Sequence, residues 1–385
     1  MDETTARERL AAFLQPLLPL LGRSERHRWG AFYVHGLLHR PGRKTAAGMA
    51  EQHGGNEQAL QQFLSQSPWD GMAVRQALAV RMVREAGSRA AWVLGETGFP
   101  KRGEHSVGVA RQYCGILGKV VNCQIGLSLS YATDTGCFPL DFQLYLPESW
   151  ARDAARRRRA RIPADVKFQS KWQLGLEMID RAGTWDVPVE VIVAGAGYGV
   201  PAQFRAALRE RRLQYMVGIS GEVGVWDQPP VGGVLACPGR GRPRTGARSV
   251  LPPEEALAVA TRLPAGDWRE LTWREGRQGP RRSRFAALRV EPAPGNDQGK
   301  AGEPVQWLLV EWPPGEPRPA GFWLSNLPEE TPLRELVYWA KIRWWVEQNR
   351  RQLRDDIGLD YFEGRSWVGW HHHVTLAMVA FDFLV

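Results

Sequence analysis

The acidic residue Glu347 stands between two arginines at helical spacing, with Arg343 four residues before it and Arg354 seven residues after it. At 100° per residue, the three side chains fall within about 40° of one another on one helix face. A carboxylate in this setting could ligate a metal ion while the guanidiniums bind phosphate. The same spacing is typical of a surface ion-pair ladder, so the pattern alone leaves both interpretations open.

Two glycine-rich stretches imitate nucleotide-binding loops. Residues 195–200 follow an apolar run as a dinucleotide fingerprint does, but valine replaces the third glycine and no acidic residue ends the next strand. Residues 95–101 lack the Walker pattern, because the lysine is not adjacent to the second glycine and no Ser or Thr follows it. Both departures disfavour nucleotide binding.

Three consecutive histidines, His371, His372 and His373, suggest a metal site at first sight. Adjacent residues on a helix point about 100° apart, so these rings cannot converge on one ion. We therefore do not expect these histidines to share a metal ion.

Hydrophobic spacing predicts the elements that position these residues. Helices are expected within residues 1–88, at 8–21, 25–38, 44–53, 57–65 and 71–86. Strands follow at 91–94, 106–113, 120–131 and 138–146. A helix at 167–182, a buried strand at 187–194, a helix at 201–212 and a strand at 214–219 complete the pattern. This is the element order of a ribonuclease-H-like mixed sheet in an α/β protein.

The next part of the chain interrupts that order. Residues 229–249 are rich in Gly, Pro and Arg and predict a basic loop, and residues 291–304 predict another loop. Strands are expected at 271–273, 284–290 and 305–311, then a helix at 333–357 and an apolar helix from residue 370. We predict a helical N-terminal domain at 1–88, whose basic residues are compatible with DNA binding or with a plain charged surface. The first part of the ribonuclease-H-like core is expected at 89–219, a β-rich insertion at 220–327, and C-terminal helices completing the core at 328–385.

Composition favours a polyanionic partner. The chain has 385 residues and a net charge of +9, and most of its 50 basic residues are arginine, which suits phosphate contacts. A basic surface that contacts only solvent would give the same excess of positive charge. The longest apolar stretch near the N-terminus contains two prolines and is too short to span a bilayer, so we expect no membrane role. The cysteines Cys114, Cys123, Cys137 and Cys237 fit no zinc spacing and predict reduced thiols in a cytoplasmic protein.

Longer motifs resemble a known family. Residues 96–103, continuing through 106–115, resemble the first catalytic strand and hairpin of transposases from the 701 family of bacterial insertion sequences, which belong to the DDE superfamily. Residues 194–199 resemble the end of its second catalytic strand, and residues 341–347, 358–367 and 371–373 resemble its C-terminal signature. Further similarity at 28–38, 43–44, 69–70, 271–276 and 284–286 extends the resemblance over nearly the whole chain.

The resemblance implies a two-metal mechanism. Two Asp and one Glu would hold two Mg²⁺ or Mn²⁺ ions, which activate water or a 3′-hydroxyl for in-line attack on phosphate. Glu347 takes the Glu position and would be the metal ligand that remains. Arg343 and Arg354 take the positions that grip the DNA end. The expected DNA-binding residues are Lys101, Arg102, Arg111, Arg157, Arg158, Arg343 and Arg354.

Both family aspartates are missing from this chain. Gly95 stands where the first Asp would precede Glu96, and Gly195 stands where the second strand would end in Asp. Glycine offers no oxygen to a metal, and one carboxylate cannot hold two dications. Glu96 does not replace the first Asp, because its side chain would point to the other face of the strand.

Two functions follow as hypotheses. The first is a catalytically inactive DNA-binding protein that binds no functional metal. Its expected partners are double-stranded DNA such as element terminal repeats and a second copy of itself, and its expected location is the nucleoid in the cytoplasm. The alternative is an active DDE transposase that cleaves and transfers DNA strands with displaced carboxylates.

Overall fold

The computed structural model describes residues 3–39, 44–86, 89–227, 252–275, 279–293 and 303–385. The basic loop expected at 229–249 and Cys237 lie outside these residues. The chain divides into two compact units. The first comprises Met1–Val189 with Trp344–Val385, and the second comprises Glu190–Arg343. The four-domain division expected from the sequence stays a prediction.

Helices and strands follow one another mostly in groups along the described chain. The helices are α1 (Glu3–Leu14), α2 (Ser24–His39), α3 (Ala46–His53), α4 (Glu57–Ser65), α5 (Gly71–Glu85), α6 (Glu148–Ala151), α7 (Ala154–Ala160), α8 (Lys171–Gly183), α9 (Ala196–Gly199), α10 (Ala202–Glu210), α11 (Ala256–Thr261), α12 (Leu333–Lys341), α13 (Arg343–Gln352) and α14 (Trp367–Asp382). Short 3₁₀ turns occupy Leu18–Leu21 and Ala265–Asp267, and a π-helical turn occupies Leu353–Ile357. The strands are β1 (Ala91–Pro100), β2 (Ala110–Cys114), β3 (Lys119–Ala132), β4 (Cys137–Leu144), β5 (Val191–Ala194), β6 (Tyr215–Gly218), β7 (Gly224–Trp226), β8 (Glu254–Glu255), β9 (Arg269–Arg274), β10 (Arg281–Pro292), β11 (Gln306–Trp312) and β12 (Gly321–Ser325).

The N-terminal helices have clear start signals in the sequence. Asn56 and Asp70 cap α4 and α5, because their side-chain oxygens accept backbone N–H groups at 3.0 and 2.8 Å. The helix expected at 8–21 is shorter than predicted. It ends at Leu14, and the prolines that follow permit only a 3₁₀ turn at Leu18–Leu21.

An antiparallel sheet forms the centre of the first unit. Strand β3 pairs with β1 along the whole of Ala91–Pro100, and it pairs with β2 near its start and with β4 near its end. Helix α14 packs against α2, α4, α5 and β4. Its side chains are apolar on nearly every face, and the helix is buried accordingly.

A buried ion cluster joins these elements. The Arg75 guanidinium on α5 donates to Asp141 Oδ1 on β4 at 2.7 Å and to Thr375 Oγ1 on α14 at 2.8 Å. Arg181 on α8 donates to the other Asp141 oxygen at 2.8 Å. Arg75 and Asp141 are 2% and 0% exposed, so their charges are compensated within the protein rather than by water.

The second unit contains a mixed sheet with the order β5-β6-β12-β11-β10-β7-β8, and β9 pairs with β10. Strands β5 and β6 are parallel, and the other pairs are antiparallel. A Cβ on Gly199 at the end of α9 would clash with the Gly218 carbonyl on β6. This close approach requires glycine and explains part of the 195–200 motif.

These features confirm the mixed α/β, ribonuclease-H-like fold with a helical N-terminal part and β-rich insertion. Several details differ from prediction. The helix expected at 333–357 is divided into α12, α13 and the π-helical turn, and β7, β8, α11 and β12 are among the elements that were not predicted. No helix among the described residues is long and apolar enough to cross a membrane.

Candidate active site

The first family position, Gly95, lies in the middle of a strand. We expected the apolar run to end at Leu94, yet β1 continues to Pro100, with Gly95 paired to Ser128 of β3. Gly95 is buried. A side chain at this position would therefore project from a rigid, fully paired strand.

Arginine occupies the space beside Gly95. A Cβ built on this glycine would lie 3.2 Å from Arg350 Cζ and 3.3 Å from Arg350 Nη2. Arg350 Nη1 donates to the backbone carbonyl of Glu96. The guanidinium is thus held against the strand where the family carboxylate would begin.

The same guanidinium binds Glu347. Arg350 Nη2 donates to Glu347 Oε1 at 2.5 Å, three residues along α13. The Glu347 side chain is 50% exposed, whereas that of Arg350 is only 12% exposed. Glu347, which the resemblance assigns as a metal ligand, therefore has a cation of the protein itself beside it.

Glu96 does not offer a replacement carboxylate at this place. Its side chain forms an ion pair with Lys171 at the start of α8, with a nitrogen–oxygen distance of 2.5 Å. The neighbouring Thr97 is buried in the strand. Glu96 is thus engaged in fastening α8 to the sheet.

The second family position, Gly195, belongs to the second unit. It is the residue before α9, at the end of the buried strand β5. A Cβ on Gly195 would lie 3.0 Å from Arg343 Cζ and still closer to Nη1. An arginine therefore lies against each of the two glycines.

These surroundings do not fit a pair of divalent ions. Both glycines lack oxygen ligands, and the Arg350 guanidinium beside Gly95 would repel a dication at that position. Among the described residues, no group of three or more His, Cys, Asp or Glu side chains is placed to hold a metal ion.

The expected DNA-binding residues divide into three kinds. Arg102, Arg111 and Arg158 are exposed. Lys101 turns inward and donates to the Phe362 carbonyl at 2.7 Å, which ties the hairpin after β1 to the segment before α14. The remaining three contact their own surroundings: Arg157 donates to the Pro163 carbonyl, Arg354 pairs with Asp355, and Arg343 lies beside Gly195.

Arg354 does not continue the α-helical face of Glu347. Helix α13 ends at Gln352, and Arg354 lies in the π-helical turn that follows. Its Nε donates to Asp355 Oδ1 at 2.8 Å, and this hydrogen bond raises the pKa of Arg354. The even 343–347–354 ladder expected from 100° spacing is therefore not formed.

The three histidines have structural partners within the first unit. His371 lies 3.0 Å from the Gln143 amide oxygen. His372 lies between the Leu64 and Trp69 carbonyls, and His373 lies between the Tyr33 hydroxyl and the Leu359 carbonyl. Burial lowers the pKa of His372 and of His373 to about 4. The neutral rings thus join α14 to the N-terminal helices.

Sequence reasoning missed Arg350. Its position three residues after Glu347 would have signalled a neighbour on the same helix face. The contact with Gly95 has no such signal, because it depends on the packing of α13 against a strand far away in the chain.

Comparison with known proteins identifies the family of the chain. Residues 16–280, more than half of the chain, match a family model described as DDE superfamily endonuclease. The chain is also 26% identical over 337 residues to a protein from Microchaete diplosiphon named as a probable transposase for insertion sequence element IS701. That alignment covers 86% of this chain and 75% of the relative.

Proposed function

Because the chain belongs to the DDE superfamily endonucleases, we propose that it is a transposase-type DNA-binding protein whose metal-dependent cleavage centre is disabled. The proposal rests mainly on Arg350. Its guanidinium neutralises Glu347 and lies against Gly95, so a cation of the protein is already present beside the first ligand position.

Binding to duplex DNA is supported by charge. The chain carries +9 overall, and exposed arginines are present on the first unit. The similarity to a probable insertion-sequence transposase suggests element terminal repeats as the preferred DNA. We propose that two copies bind paired ends, and that the protein resides with the nucleoid.

Salt dependence tests the DNA-binding part. Fluorescence anisotropy with a labelled duplex should show binding at 50 mM salt that weakens steeply by 200 mM, by about 10³-fold if six phosphates are contacted. A duplex carrying ends of a related element should bind more tightly than a scrambled duplex. Lack of affinity for either duplex at low salt would overturn this part.

Cleavage tests the disabled centre. Incubation of an end-labelled element duplex with the unmodified protein and Mn²⁺ should give no cut products. Reproducible cuts at the element ends, lost in Glu347→Gln, would show instead an active transposase using displaced carboxylates. Binding and cleavage are measured separately, so each part of the proposal can fail alone.

A further inference from the structure

A cavity of about 370 Å³ lies within the first unit. Its lining comes from the end of α7, from α3 and α4, and from the segment that precedes α14. Cavities of about 300 Å³ or more are large enough for a small organic ligand. The space therefore exceeds what a bare phosphate or a few waters require.

Three exposed arginines, Arg159, Arg161 and Arg365, line this cavity. Within the described chain, none of these guanidiniums forms a hydrogen bond or ion pair. Arg157 of the same run is different, because it donates to the Pro163 carbonyl at 2.7 Å. The three guanidiniums thus offer many donors that no group among the described residues takes up.

Arg161 has an unusual backbone. Its φ is +54°, in the left-handed region, at the end of α7. Glycine is the usual residue at such a helix end, since other residues are strained there.

The other polar groups of the lining are largely engaged. The Tyr33 hydroxyl bonds to His373 Nδ1 at 2.8 Å, and the Lys44 ammonium donates to the Leu37 and Asp356 carbonyls. The carboxylates of Glu57 and Glu363 also line the cavity. Four cations thus face two acids, which favours an anionic ligand.

Aromatic side chains supply the apolar part of the wall. Tyr33 and Phe362 are buried, and Tyr361 is half-buried. Aromatic rings beside a basic rim suit a ligand that has both a phosphate and a flat ring, because bases stack on aromatic faces while arginines hold phosphate.

We propose that this cavity binds one unpaired nucleotide of DNA, with its phosphate on the three arginines and its base inside. The inference rests on the proposed DNA-binding function and adds to it a preference for DNA that contains an unpaired base. A base that is already unpaired enters without the cost of breaking a base pair, so DNA with such a base should bind more tightly.

The test compares two duplexes that differ by one extrahelical nucleotide. Anisotropy titrations at low salt should show tighter binding of the bulged duplex by about tenfold or more. Arg161→Gln and Arg365→Gln should reduce that ratio. Ala47→Phe, which leaves the arginines and fills the cavity from an exposed position on α3, should reduce it as well.

Arg158→Gln is the matched control, because Arg158 is exposed in the same run and does not line the cavity. This variant should bind both duplexes more weakly, by the same factor. Thermal melting of each variant checks that the fold is retained. Equal affinity of the wild type for the two duplexes, or a ratio insensitive to Ala47→Phe, would overturn the inference while leaving duplex binding intact. Lack of binding to either duplex would overturn both proposals.

Discussion

At the scale of single residues, the arginine beside Gly95 bears directly on the proposed loss of metal binding. If the space beside Gly95 were empty, a single Gly95→Asp substitution could restore a carboxylate there. Here the new carboxylate would meet a guanidinium 3.2 to 3.3 Å from its Cβ, already bound to Glu347 and to the Glu96 carbonyl. Charge pairing within the protein would then compete directly with any metal ion.

Manganese binding should reveal this competition. Gly95→Asp alone should bind Mn²⁺ scarcely better than the unmodified protein, because Arg350 pairs with both carboxylates. Gly95→Asp combined with Arg350→Gln should bind Mn²⁺ more tightly by about tenfold or more, since an adjacent positive charge is removed. Electron paramagnetic resonance of the Mn²⁺ that stays free in solution gives the Mn²⁺ affinity of each variant, and it requires no cleavage reaction.

Glu347→Gln in the double variant is the control, and it should abolish the gain. Equal Mn²⁺ affinity of Gly95→Asp with and without Arg350 would show that the guanidinium does not obstruct the site.

At the scale of elements, hydrophobic periodicity predicted most helices and strands. Helices α2, α4 and α5 and strands β3 and β4 lie close to their expected positions, because each has a clear apolar face or run bounded by turn or cap residues. The π-helical turn and the break between α12 and α13 were not predictable, because the local spacing of apolar residues continues through them.

The candidate site was predictable only in part. The three family positions and Arg343 came from motifs, which are local in sequence. The contacts of Arg350 and Lys101 depend on tertiary packing between distant segments. Lys101 looked like a phosphate ligand by its charge, whereas its nearest acceptors are carbonyls of the protein itself.

Arg75 should be the most sensitive residue of α5. Arg75→Met leaves Asp141 buried with its main partner gone, and we expect a loss of about 3–5 kcal/mol in unfolding free energy. Arg84→Met, at an exposed position on the same helix, should change it by less than about 0.5 kcal/mol. Urea unfolding followed by circular dichroism measures both.

Replacing both buried charges gives a further check. Arg75→Met with Asp141→Leu should recover much of the loss, because no uncompensated carboxylate remains buried. An Arg75→Met protein as stable as the wild type would mean that the cluster does not hold these elements together.

At the scale of the whole molecule, stability should fall in weak acid. His372 and His373 have pKa values of about 4 when folded, against 6.5 in the unfolded chain, because burial disfavours the charged ring. The unfolded chain therefore binds more protons between pH 6.5 and 4, so unfolding becomes easier as pH falls through this range. At pH 5 each buried histidine ring should lower the free energy of unfolding by about 2 kcal/mol relative to neutral pH.

Melting temperatures from pH 7 to pH 5 measure the effect. His372→Gln should flatten the pH dependence even where it lowers the melting temperature at pH 7, because one titrating ring is removed. A wild-type melting temperature that is constant over this range would contradict the assignment of neutral, buried rings.

If the cleavage centre is disabled as we propose, Arg350 beside Gly95 adds a third substitution to the two that would restore the carboxylates. Gly95→Asp and Gly195→Asp restore ligands, and the third removes the guanidinium bound to Glu347. None of the three substitutions would then restore two-metal cleavage by itself. Back-mutation of a single glycine would therefore leave the proposed DNA-binding protein unable to cut DNA.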